Sequence, residues 1–112
     1  MEIFQSTTDP GILTLTLSGR LDADTTNQFA DVLNGSIDRG EHKIILDLGD
    51  LSYVSSVGLR ALIVGAKRVA PLGGKIVLCK AQPQILKLLE IAGFTSILTI
   101  AGTREEAAEK LR

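Results

Sequence analysis

Five consecutive residues, Ile44-Ile45-Leu46-Asp47-Leu48, restrict the fold more than any other stretch of this chain. A strand with one wet face alternates apolar and polar residues; an unbroken apolar run of strand length reads as a strand buried on both faces. That places residues 44–48 near the centre of a sheet.

The flanking patterns supply the rest. Ile12 to Ser18 alternates leucines at 13, 15 and 17 with hydroxyl residues, the period-2 pattern of a half-buried strand. Met1 to Thr7 is expected to pair with it, because Asp9-Pro10-Gly11 between them is turn chemistry. From Asp24 to about Asp38, Phe29, Val32, Leu33, Ser36 and Ile37 recur at helical spacing, with Asp22 or Asp24 as cap and Asn34-Gly35 as an expected interruption.

Ser56 to Ala70 reads as an amphipathic helix with a core stripe of Leu59, Leu62, Ile63, Ala66 and Ala70, ended by Pro71 and Gly73-Gly74. Lys75 to Lys80 is a strand. A helix then begins at Pro83, with Ile85, Leu88 and Leu89 inward and Gly93 as its stop. Ser96 to Ile100 is a last strand. Thr103 and Glu106 form a capping box for a terminal helix through Leu111. An opening hairpin followed by alternating helices and strands makes an α/β domain with a mixed sheet and about four helices.

Charge and composition remove several classes of function. At 112 residues, one domain spanning 1–112 accounts for the chain. Twelve Lys and Arg stand against thirteen Asp and Glu, so no basic excess holds a nucleic acid or an anionic membrane. The N-terminal residues lack the pattern of a signal peptide, and the single cysteine, Cys79, suits a reducing compartment, so a cytoplasmic location is expected. One His and one Cys supply no ordinary zinc set. Lys75 lacks the P-loop glycine at 69 and hydroxyl at 76, where Val69 and Ile76 stand, and Ser55-Ser56 lacks the G-x-S-x-G elbow. No enzyme, metal or cofactor is expected.

The segment from Asp47 to Leu62 carries the most information. It places Ser55 and Ser56 where a central strand passes into a helix, the end of an α/β sheet at which sites form. A helix N-terminus presents free N–H groups and the positive end of the dipole, and Gly58 leaves room for close approach. A serine there is most often an N-cap, and either serine can fill that role. On the helix face opposite the core stripe, 100° steps place Val57, Ala61, Val64 and Arg68, a small apolar patch beside Ser56.

The Ser55-Ser56-Val57-Gly58-Leu59 motif after the Asp47-Leu48 strand resembles the signature of STAS domains. Leu17-Ser18-Gly19-Arg20-Leu21-Asp22 resembles the family's G-x-L-D strand end, and Gly73-Gly74-Lys75 its turn before the next strand. The resemblance runs through essentially the whole chain, in order.

Among the bacterial anti-sigma factor antagonists of this family, the serine two residues before the motif glycine is phosphorylated by a partner kinase that is also an anti-sigma factor. By position that is Ser56. Many members carry Asp just before it, where this chain has Ser55, which leaves Ser55 as a minor candidate acceptor. Asp22 matches an Asp of the neighbouring loop. The resemblance therefore implies partner switching in transcription regulation: a serine protein kinase docks on Asp22, Ser55, Ser56, Val57, Gly58, Arg60, Ala61 and Val64, and a serine phosphatase resets the state. The family also includes subunits of lipid transporters and stress-sensing scaffolds that need no kinase.

Overall fold

The computed structural model describes residues 1–112, the side chain of Thr8 excepted. Strands β1 (Glu2–Asp9) and β2 (Ile12–Leu21) form the opening hairpin, antiparallel, with Ile3 opposite Leu17 and Phe4 opposite Thr16. The strands β3 (Lys43–Val54), β4 (Lys75–Cys79) and β5 (Thr99–Ala101) follow in parallel, so the sheet order is β1-β2-β3-β4-β5. The apolar run at residues 44–48 is in the middle strand, as its two-sided burial requires.

Alternation along the strands divides the molecule into two layers. Leu13, Leu15 and Leu17 of β2, Ile44, Leu46 and Leu48 of β3, and Ile76 and Leu78 of β4 join one core cluster. Against it pack the helices α1 (Thr26–Asp38), α2 (Ser56–Val69) and α3 (Pro83–Ile91), through residues such as Phe29, Leu62 and Leu89. The alternate residues Ile12, Ile45, Val77 and Cys79 face the other way and pack on α4 (Arg104–Leu111) through Ala107, Ala108 and Leu111. Three helices on one face and one on the other is what consecutive right-handed crossovers followed by a return helix produce.

Several expectations change at element ends. Helix α1 runs through Asn34-Gly35 without a break, because Leu33, Ser36 and Ile37 on either side are buried and tertiary packing outweighs the roughly 1 kcal/mol propensity cost of a helical glycine. It begins at Thr26 rather than Asp24. Strand β3 continues to Val54, since Gly19, Arg20 and Leu21 extend β2 alongside it. Helix α2 ends at Val69, and Ala70–Leu72 forms an exposed 3-10 turn, which removes Ala70 from the core. The last strand starts at Thr99; Phe94–Ser96 is a second 3-10 turn. Leu88 is on the outer side of α3, where Ile85 and Leu89 take the inward positions.

The terminal helix is capped as its sequence requires. Thr103 Oγ1 accepts from the Glu106 N–H at 3.1 Å, while the Glu106 carboxylate accepts from Gly102 N–H rather than from Thr103.

Candidate functional site

Helix α2 begins where β3 runs out, and two serines share its first turn. Ser55 is the N-cap: its φ of −85° and ψ of 170° are extended, and its hydroxyl oxygen accepts from the Gly58 N–H at 3.2 Å. Its own N–H donates to the Leu21 carbonyl at 2.8 Å, which fastens the helix start to the end of β2. Ser56 is the first helical residue, exposed to solvent. The hydrogen bond that satisfies Ser55 thus resolves which serine caps, and Ser56 projects from the helix beside its N-terminal N–H groups.

Gly58 explains how β2 and α2 come so close. A Cβ at this position would lie 2.8 Å from Leu21 Cγ and 3.0 Å from the Leu21 carbonyl oxygen. Gly65, further along the helix, gives α1 the same close approach: a Cβ there would meet Leu33 Cδ2 at 2.5 Å. The inner face of α2 is therefore Gly58, Leu59, Leu62, Gly65 and Val69. This corrects the expected stripe: Ile63 and Ala66 are half-buried at its margin. The outward residues change accordingly. Val57 and Val64 are exposed, at 51% and 45%, and so is Arg60. Ala61 is half-buried against the core, and Arg68 turns to α1, bonding Asn34 Oδ1 at 2.7 Å and Asp38 at 2.6 Å. Hydrophobic periodicity misses this phase because glycine carries no side chain to count, although two glycines seven residues apart on one helix mark a close approach.

Asp22 lies on the adjoining β2–α1 loop and bonds within it. Its carboxylate accepts from the N–H groups of Asp24 and Thr25 at 3.0 and 3.2 Å and is 3.5 Å from Arg20 Nε. Partial burial works against the charged form, but the Asp24 N–H, the Thr25 hydroxyl and N–H, and Arg20 outweigh it and hold the pKa below the ordinary carboxylate value. Its neighbour Leu21 carries the contact to Ser55 and Gly58; Asp22 itself shapes the loop. Arg20 also stacks over Tyr53, 4.2 Å from the ring centroid.

Beside Ser56 an open groove of about 580 Å³ is lined by Ser56, Arg60, Ile63, Val64 and Lys67 of α2 and by Phe94. On the opposite face of the sheet, Asp47 is buried, with Arg104 Nε 2.6 Å from its carboxylate and Arg104 Nη2 donating to Thr16 Oγ1 at 2.7 Å. Sequence reading treats Asp47 as one member of an apolar run and overlooks this clamp. An acid inside such a run, facing α4, is the signal that could have found it.

A mixed five-stranded sheet, helices on both faces and a Ser-Ser-x-Gly-Leu helix start together define the class, an α/β domain of the STAS type. The chain belongs to the STAS domain family, whose model matches residues 4–107. It is 39% identical over 98 residues to BtrV of Bordetella bronchiseptica, named as a candidate anti-sigma factor antagonist, covering 88% of this chain and 84% of that one. The fold is similar to a candidate anti-sigma factor antagonist from Thermotoga maritima, with a TM-score of 0.91, 22% identity, and 98% and 94% of the two chains covered. It is also similar to the Bacillus cell fate determinant SpoIIAA in its phosphorylated form, with a TM-score of 0.76, 21% identity, and 99% and 100% covered. Among the described residues, no helix is long and apolar enough to cross a membrane, and no His, Cys, Asp and Glu cluster could hold a metal ion.

Proposed function

We propose that the protein is an anti-sigma factor antagonist that docks an anti-sigma factor with serine kinase activity and is released from it when Ser56 is phosphorylated. The observation that carries this reading is the division of roles at the start of α2: Ser55 is engaged as the cap, and Ser56 is exposed beside it. The kinship with BtrV supports the antagonist role, and a protein of the same fold is known in a phosphorylated form.

Phosphorylation adds about 1.5 to 2 negative charges. At the first position of a helix these meet N–H groups and the positive end of the dipole, so the fold tolerates them. A docked partner facing the same spot does not, because it must desolvate the phosphate or oppose it. A serine phosphatase restores the binding form, and the buried free thiol of Cys79 fits a cytoplasmic setting.

Incubation with the cognate kinase and ATP should phosphorylate Ser56, read by mass spectrometry, and Ser56→Ala should abolish the label while the domain stays folded. Label retained in Ser56→Ala and lost in Ser55→Ala would move the acceptor and overturn the assignment.

A further inference from the structure

The groove beside Ser56 has a charge pattern that the switch reading does not use. Its described lining includes two cations, Arg60 and Lys67, and no acid. Neither cation takes part in an ion pair among the described residues, whereas Arg20, Arg68, Arg104 and Arg112 all do. Apart from Ser56, the rest of the lining is apolar: Ile63, Val64 and Phe94. The cations are seven residues apart on one helix, hence about 10 Å along its axis.

We infer that this groove is the seat of an acidic amphipathic helix of the partner, and that phosphate on Ser56 weakens binding by cancelling the groove's positive charge. The inference rests on the proposed switch for its partner and adds the surface, the chemistry and the mode of release. A helix with carboxylates at i and i+7 spans the distance from Arg60 to Lys67, and apolar residues at i+3 and i+4 fall between them, against Val64 and Phe94. Ser56 is one turn before Arg60 on the same ridge. Its phosphate would bring the groove from two positive charges to about zero, and the attraction for an acidic helix would go with them.

The test uses the kinase that labels the protein in the assay above, with Ser56→Ala as the binding species so that no phosphate forms. Adding Arg60→Glu and Lys67→Glu, both on an exposed ridge, should weaken binding at least about tenfold. It should also flatten the fall of affinity with salt. Zero-length carbodiimide coupling should join Lys67 to an Asp or Glu on a partner helix, and changing that acid to Lys should restore binding to the charge-reversed protein. Binding within twofold of the parent after charge reversal would overturn the inference. If Ser56→Asp still releases the partner in that case, the switch stands and only the groove is lost. If Ser56→Asp binds normally while charge reversal weakens the complex, the groove stands as the seat, and the switch reading and the release by charge cancellation both fail.

Discussion

Ser55 and Ser56 differ by one peptide, and the backbone gives them different roles. Ser55 is extended and spends its oxygen on the Gly58 N–H; Ser56 is already helical and projects outward. Removing the cap in Ser55→Ala should lower stability by about 1 kcal/mol in chemical unfolding and leave the label on Ser56. Ser56→Asp should shift stability by no more than about 0.3 to 1 kcal/mol, because a charge at a helix N-terminus is worth that much. Cys79 shows the opposite environment. Burial, chiefly, with the Asp47 carboxylate adding to it, pushes its thiol from 9.0 up to about 11. The unfolded chain therefore gives up this proton first as pH rises. The stability tied to it is complete below about pH 9 and is lost between there and about pH 11. At pH 8 a thiol reagent should label Cys79 only after denaturant is added; rapid labelling of the native protein would contradict its burial.

Among the elements, α2 decides how the sheet's helical face is built. Its type and start are legible from leucine spacing and the serine pair, but its rotation is not, because Gly58 and Gly65 let Leu21 and Leu33 approach where no side chain announces a contact. The start of the last strand is misplaced for another reason: the short apolar pair Ile97-Leu98 suits a strand as well as a turn, yet Ser96 closes a 3-10 turn and the strand begins only at Thr99. The hairpin, the central strand and the Thr103 cap are read correctly from local chemistry, while the return half of the expected capping box goes to Gly102 N–H instead. The candidate site is half legible. Ser56, Val57, Arg60 and Val64 are exposed as expected, while Ala61 turns inward and Asp22 serves its own loop. The two outcomes for α2 separate sharply in one experiment. Val64→Glu should fold normally and weaken the partner complex at least about tenfold, or about 1.4 kcal/mol. Leu62→Glu should unfold the domain, because its carboxylate would be forced into the core without a partner. Loss of cooperative unfolding in Val64→Glu would show that the helix is rotated differently.

At the scale of the molecule, the sheet separates two kinds of surface. One side carries α1, α2 and α3 with the groove; the other carries α4, held by its small apolar contacts and by Arg104 reaching Asp47 and Thr16. Arg112, the last residue, is on that second side, 3.6 Å from Asp9 of β1. A flexible tether leaving from Arg112 therefore starts with the whole sheet between itself and Ser56. Protein anchored to a sensor surface by a biotin on such a tether should bind its partner with the affinity it has in free solution. Anchoring through the amine of Lys67 should abolish capture, which makes the choice of attachment point a simple readout of which side of the domain receives visitors.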